Sequence, residues 1–532
     1  MADVSSSTSS RLRRRLLWSG GAVVLVAALI LTPPLLNVSR LQRRIVANMS
    51  ASLGRNVRME SVQLHLLPTP GFTLKYIVVN EDPAFGFEPA IRADEVDAQL
   101  RVSSLWRKQV EISRIRFVNP SVNLVRDASG HWNLESILIH AANIDAAPTS
   151  QKSASEQPRF PYIEATGARV NFKLGDEKLP FSLDNADFAL WLPTAQQWRV
   201  RLVAHPLRTD ANVPNAGTMR VEGALERAAN MAQVPVDLKA SWHNAPLGEA
   251  SKLLTGTDAN WRGTLHLDAH LTGLLGAGTL TTKLTVDELR RADFVPAQML
   301  DVTTECSAQV NGPAMLLHHA ACTVPDGEDS TPLVVKSDAV DFHHLAATPL
   351  ELDDDSMPLP WVLNWMKLLS ARVPAGASPD GAVKVHLQRD AQALWSGTAA
   401  VTLPAAAPAG QTPPVFTWNA TRNPSATDDP ACVNALMLAP TPAHLDATNT
   451  LSLSGSITAC GYSLHASGTA SAHALRNATI DVPMLTDALD DVVAPAADSA
   501  PVDIVCSSTW SGEQDCVQSR PAPVRAAARH RR

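Results

Sequence analysis

Few residues in this chain have types and spacings that could do chemistry, and they are poorly clustered. "LHHAAC" (Leu317–Cys322) sets two histidines near a cysteine, the residue types that hold zinc. Zinc sites repeat such ligands at short fixed spacings, as in C-x-x-C, and no second cluster of that kind occurs. The stretch therefore reads as a strand with exposed histidines. Two acidic runs, "DGEDS" (Asp326–Ser330) and "DDDS" (Asp353–Ser356), place carboxylates side by side as acid–base pairs require. Both flank turn-forming residues and read as solvated loops. No G-x-S-x-G, H-E-x-x-H, Walker A or G-x-G-x-x-G in a strand–helix context is spelled out. No catalytic residue, cofactor or metal is assigned, and a non-enzymatic role is expected.

The six cysteines follow one another as Cys306/Cys322, Cys432/Cys460 and Cys506/Cys516, three neighbouring pairs that could each close a local loop. Their number fits an oxidising compartment, while the sequence leaves the connectivity open. Apolar residues make up 45% of the 532-residue chain, an ordinary share for a folded protein, and a net charge of -7 gives no sign of a nucleic-acid partner. Only 5% of residues are aromatic and 38 are proline, which suits short strands and turns better than a helical bundle.

Arg11, Arg13, Arg14 and Arg15 precede a charge-free apolar run from Leu16 to Leu36. A bilayer core calls for about 20 such residues. The arginines should stay cytoplasmic, which places the rest of the chain across the membrane. A cleaved signal peptide is the competing reading, but no clean A-x-A site follows, and Arg40, Arg43 and Arg44 come next. An uncleaved anchor is expected.

Beyond it, Leu41, Ile45, Val46, Met49 and Leu53 recur at helical spacing, and Gly54 is a natural stop. The sequence then alternates. Val62, Leu64 and Leu66 form one apolar set, and Phe72, Leu74, Tyr76 and Val78 another, divided by Pro68-Thr69-Pro70-Gly71. Similar alternation marks Ile91–Val102, Val110–Phe117, Ala168–Leu174, Trp198–Val203, Gly217–Leu225, Val234–Trp242, Gly263–Leu271, Leu280–Val286 and Val302–Val310. It returns at Ala382–Leu387, Gly397–Leu403 and Leu451–Ala466, with helices expected at Leu247–Leu254 and Leu359–Ala371. Such alternation belongs to antiparallel sheets with one solvated face rather than to buried parallel ones. No fixed period repeats, which argues against a solenoid or propeller. A lipid-embedded barrel is disfavoured by the missing aromatic girdles.

From Leu53 onward the sequence resembles the AsmA family of membrane-anchored envelope proteins. The likeness rests on "LGR" (Leu53–Arg55), the strand with its Pro-rich turn, a D-P-x-F-G loop (Asp82–Gly86) and "WN" (Trp132-Asn133). "FPYIEATGARVNFKLGDEKLPFSLDNADFALWL" (Phe160–Leu192) and "APLGEASKLLTGTDANWRGTLHLDAHLTG" (Ala245–Gly273) agree, and beyond Phe342 the match is loose. The resemblance implies an inner-membrane anchored periplasmic protein, mainly β, whose long curved antiparallel sheet forms a groove with an apolar floor and a few short helices. It implies phospholipid as the bound partner and a part in outer-membrane biogenesis.

The expected organisation is a cytoplasmic N-terminus (1–15), an anchor (16–36), an N-terminal β domain (37–140), a linker (141–160), a β-groove domain (161–345), a C-terminal β region (346–480), and an irregular region with a basic tail (481–532), the tail being Arg520–Arg532. Apolar sheet left in water costs about 25 cal/mol per Å², so something must cover it, and acyl chains are at hand beside a membrane. The residues expected to line the groove are Val62, Leu64, Leu66, Phe72, Leu74, Tyr76, Val78, Val170, Phe172, Leu174, Val236, Leu238, Leu265 and Leu267. Lys75 and Lys173 are expected to face outward. The alternative is an assembly scaffold whose sheet edges recruit outer-membrane or other envelope proteins by strand addition.

Overall fold

The computed structural model describes residues 54–65, 69–101, 112–127, 131–133, 161–194, 196–228, 231–292, 299–312, 316–325, 332–341, 348–369, 380–391, 395–404, 412–422, 441–445, 450–459, 462–471, 502–508 and 514–519, with residues 18, 20, 21, 42, 43, 45–47, 49, 50, 296 and 407. Arg11, Arg13, Arg14, Arg15, most of the 16–36 run, Leu66, Cys432, Cys460, the 141–160 linker, "DGEDS" and the basic tail lie outside the described residues. No helix among the described residues is long and apolar enough to cross a membrane.

The alternating segments become strands of one sheet. The first group is β1 (Val57–Arg58), β2 (Ser61–His65), β3 (Gly71–Val79), β4 (Ile91–Leu100), β5 (Ile112–Val118), β6 (Ser121–Arg126), β7 (Tyr162–Leu174) and β8 (Glu177–Trp191). Next come β9 (Gln197–Arg208), β10 (Thr218–Glu226), β11 (Pro235–Pro246), β12 (Trp261–Leu274), β13 (Ala277–Arg291), β14 (Leu300–Asn311) and β15 (Leu316–Val324). Then follow β16 (Leu333–Asp341), β17 (Leu350–Pro358), β18 (Ala382–Arg389), β19 (Trp395–Thr402) and β20 (Val415–Arg422). The last are β21 (Thr441–Leu445), β22 (Thr450–Ala459), β23 (Tyr462–Ser471), β24 (Val502–Ser508) and β25 (Gln514–Ser519).

All 25 strands belong to a single hydrogen-bonded sheet. β1 and β2 share one side of β3, and β5 and β6 together bridge β4 and β7. From β7 to β20 each strand pairs antiparallel with the next, and the sheet continues through β23, β22, β21, β24 and β25. Only β7 runs parallel to its neighbours β5 and β6. Parallel neighbours cannot be joined by a hairpin, so the chain between Arg126 and Tyr162, which holds the expected linker, has to cross over. The ladder runs unbroken past the boundaries expected at 141–160 and 345, because β6 pairs with β7 and β17 joins β16 to β18.

Two helices interrupt the strands close to where the spacing puts them, α1 (Leu247–Thr255) and α2 (Leu359–Leu369). Gly256 ends α1 in the left-handed conformation (φ 84°) and donates its backbone N–H to the Lys252 carbonyl, a cap that suits glycine. The helical positions at 42–50 are amphipathic as expected, and Ile45 and Met49 pack on Val57, Val62, Leu74, Ile77, Val79, Ala93 and Val96. Gln42 Nε2 donates to the Met59 and Glu60 carbonyls at 3.3 and 3.2 Å, and Ser50 Oγ accepts from the Val57 N–H at 3.0 Å. This segment therefore caps the first strands.

Several strands change phase part-way. Register shifts fall beside Asn185 in β8, Asn244 in β11, Glu288 in β13 and His319 in β15, each with positive φ. Such bulges restore the inward position of the next apolar residue after one extra residue. Tyr76 (φ 50°) does likewise in β3 without shifting register, since the opposing residues of β4 slip at the same level. The acidic run Asp353–Ser356, expected in a loop, lies inside β17, where Asp354 is buried and a register shift separates it from Met357. Three consecutive aspartates hide a strand from any reading by propensity.

Candidate functional site

Register fixes which side chains share a face. One rung begins Val62, Leu74, Val96, Phe117, Ala165, Phe188, each directly opposite the next. It continues Leu202, Val221, Ala240, Ala269, Thr282, Cys306, Cys322. It ends Val335, Leu352, Leu387, Gly397, Ala420, Leu464, Ile457. Thr282 is the one hydroxyl on a rung of twenty strands. Two residues along, a second rung repeats the pattern as Leu64, Phe72, Ala98, Ile115, Ile163, Leu190, Val200, Gly223, Leu238, Leu271, Leu280 and Ala308.

This apolar face is covered unevenly. At the first strands it is sealed, with Val62, Leu74 and Val96 at 4%, 2% and 3% exposure beneath the 42–50 segment. Further along, helices seal one end of the strands. Ala250 and Leu253 of α1 pack with Trp242, Ala245, Leu265 and Leu267. Leu368 and Trp365 of α2 pack with Val286, Leu289, Leu300 and Val302. Between β5 and β18 the rung itself is only half-buried, including Phe117, Phe188, Leu202, Val221 and Leu352. Half-buried leucines in mid-sheet mean that no second layer among the described residues seals them.

The opposite face is polar and charged. Arg201, Glu222 and Lys239 alternate across three strands, as do Asp268, Lys283 and Glu305. These side chains wall a depression of ≈ 780 Å³ on that face, with Lys283 and Glu305 paired at 3.2 Å. The Asp237 carboxyl is held below the ordinary aspartate range by the hydrogen bond from His270, at 2.7 Å. Lys384 lowers the Asp355 carboxyl in the same way, and its own ammonium is raised by that bond. Glu351, Asp353 and His386 lie close enough together to hold a cation, on exposed strand surface.

At the first strands a polar knot is buried beneath the loop that follows β3. Arg55 contacts Glu81 at 3.3 Å and Asp82 at 3.0 Å, with Arg55 and Glu81 at 5% and 1% side-chain exposure. Asn133 Nδ2 donates to Glu81 at 2.5 Å and to the Asn123 carbonyl at 2.9 Å, while its Oδ1 accepts the Val125 N–H. Asn123 in turn donates to the Pro89 carbonyl and accepts from Asn171. The D-P-x-F-G loop and the Trp132-Asn133 pair, 50 residues apart in sequence (82 to 132), thus meet in one network that ties loop to sheet. Residues 10–171 match the model of the AsmA family. The N-terminal part of the chain is similar to that family. No curated protein and no solved structure matches the chain.

In this chain the expected groove residues are scattered over several environments. Val62 and Leu74 lie on the first rung, Leu64, Phe72 and Leu238 on the second, and Val170 and Phe172 pack beside Ala168 and Leu183. Val236 is buried next to Leu238, and Leu265 and Leu267 lie under α1. Tyr76 does not share the face. It is 59% exposed, and Ile77 and Val79 replace Tyr76 and Val78 in the core because the strand changes phase at Tyr76. Leu174, at the β7–β8 turn, is 42% exposed. Lys75 pairs with Glu95 as an outward residue, whereas Lys173 is buried and pairs with Glu88 at 3.2 Å beneath the same loop. The face also includes Phe117, Phe188, Leu190, Leu202, Val221, Leu271 and Leu280, most of them in segments whose alternation already marks them.

Cys306 and Cys322 form a disulfide across β14 and β15. Cys506 and Cys516 stand opposite each other in β24 and β25. His318 and His319 of "LHHAAC" lie on strand β15, as expected, with His319 exposed and His318 half-buried.

Proposed function

We propose that this protein is an inner-membrane anchored, periplasmic, non-catalytic member of the cell envelope whose apolar sheet face carries the acyl chains of phospholipids, in support of outer-membrane biogenesis. The observation that carries the reading is the twenty-strand rung, apolar along almost its whole length and only half-buried through its middle. Each exposed Å² of such surface costs about 25 cal/mol in water, a cost an acyl chain lying along the rung would remove. Neighbouring strands sit about 4.8 Å apart, so nineteen steps extend on the order of 90 Å, the scale of a lipid path rather than a single-ligand pocket. The cross-strand disulfide supports an oxidising compartment, and the N-terminal similarity to the AsmA family supports a membrane-proximal start.

The test is lipid mass spectrometry on full-length protein extracted in mild detergent. Phospholipid should co-purify above detergent controls and fall several-fold in a Leu202→Asp/Leu271→Asp variant of unchanged fold. Lipid no higher than in controls would defeat the reading. A single envelope protein crosslinked at the sheet edges, with no lipid bound, would favour a scaffold instead.

A further inference from the structure

Helix α2 lies on the apolar face at one end of the strands, and a small cavity remains beneath it. Trp361, Asn364 and Trp365 form its helical wall, and Leu300, Val302 and Val324 are among the strand residues opposite. The two indoles stand 5.8 Å apart at 59°, so they make two inclined walls rather than a stacked plug. The cavity measures ≈ 250 Å³, too small for a whole drug-sized ligand but enough for one end of a long one.

The lining also includes Thr303 and Asp301, whose carboxylate accepts the Glu288 N–H at 2.9 Å, and a cationic side chain is bonded to the lining residue Asn364. Lys367 Nζ donates to Asn364 Oδ1 at 3.3 Å, and Asn364 itself lines the cavity. No other polar partner of Lys367 occurs among the described residues. Burial pushes its ammonium below the ordinary lysine range. Among the described residues this partly desolvated cation has one neutral hydrogen-bond partner and no carboxylate to stabilise its charge. We propose that Trp361, Asn364, Trp365 and Lys367 form a terminal seat for an amphiphile with an oxyanion headgroup, carboxylate or phosphate. The headgroup meets Lys367 and Asn364, the first part of the chain fills the space between the tryptophans, and the remainder follows the half-buried rung. This deepens the lipid reading and rests on it, adding where an acyl ligand is held and by what charge.

Tryptophan quenching tests the seat, using bromine-labelled stearate and bromine-labelled phosphatidylglycerol added to the full-length protein at fixed detergent. The chain has 12 tryptophans, so the signal is the difference between wild type and a Trp361→Phe/Trp365→Phe variant. That variant should lose a distinct share of the quenching while binding continues. Lys367→Gln should weaken binding of both probes about tenfold, as loss of one charge-assisted hydrogen bond implies. Lys367→Arg should restore it, and a brominated fatty alcohol should bind Lys367→Gln and wild type alike. Stearate and phosphatidylglycerol responding differently would identify carboxylate or phosphate as the headgroup seated. If the probes bind but neither the tryptophan pair nor Lys367 alters the result, the seat is wrong and the lipid reading stands. If neither probe binds wild type at all, the lipid reading falls and the seat with it.

Discussion

Arg55 and Glu81 face each other with 5% and 1% of their side chains exposed, and Asn133 completes the pair from another segment. Removing Glu81 takes away the buried partner of Arg55 and leaves it the more exposed Asp82 at 3.0 Å, so the loss should reach the lower end of the range for a broken buried pair, about 3 kcal/mol. Glu81→Ala should therefore lower the denaturation midpoint markedly. Arg116→Ala, which removes a half-exposed partner of Glu164, should cost under about 1 kcal/mol. Parallel urea titrations compare the two. The Asp237 carboxyl illustrates a subtler effect. Its hydrogen bond from His270 depresses its folded pKa below the ordinary aspartate range, so its contribution is present above that range and lost as pH falls through the depressed folded value. In His270→Ala, carboxyl NMR should show Asp237 titrating at higher pH than in the wild type, back toward the ordinary aspartate range. At this scale the sequence was partly legible. Alternation placed Leu74 and Leu238 correctly, but Tyr76 was misplaced because a positive φ changes phase without a glycine to announce it. Lys173 looked solvated because nothing local records a loop folding over it from Glu88.

Helices were the most legible elements, because an apolar stripe at spacings of three and four has no strand equivalent. α1 and α2 begin at the expected residues and end within two of them. Strands were legible wherever alternation ran unbroken. β8 was not, since Phe181 and Leu183 fall in one phase and Ala186, Phe188 and Leu190 in the other, with the bulge near Asn185 between them. β17 was hidden by its aspartates. Two element-level consequences are open to measurement. Leu368 is fully buried where α2 meets β13, so Leu368→Ala should cost about 2–5 kcal/mol and loosen the helix. The Cys306–Cys322 bond closes a loop of 16 residues, for which chain entropy gives a contribution of about 3 kcal/mol. A Cys306→Ser/Cys322→Ser variant should stay folded, with a midpoint lowered to match, because the two strands keep their backbone ladder.

At the scale of the whole molecule, what alternation could not reveal was continuity. Each strand declares which of its own residues share a face, but only register shows that twenty such faces meet on one rung across boundaries that composition suggested were domain limits. That continuity sets different costs for the same substitution at different places. Leu74 is sealed beneath the 42–50 segment, so Leu74→Ala should destabilise by about 2–5 kcal/mol. Leu202 is only partly buried at mid-sheet, so Leu202→Ser should cost less than the truncation of Leu74, about 1–2 kcal/mol, because part of its side chain already meets solvent. A compact globule of this length has a radius of gyration of about 24 Å. A sheet laid out along its hydrogen-bonding direction for on the order of 90 Å should instead give a visibly elongated particle. Electron microscopy of the full-length protein in nanodiscs reads this directly. A particle no longer than about 62 Å, the diameter of a uniform sphere with that radius of gyration, would mean that the rung closes on itself. Leu202 would then be core, and its substitution should cost as much as that of Leu74.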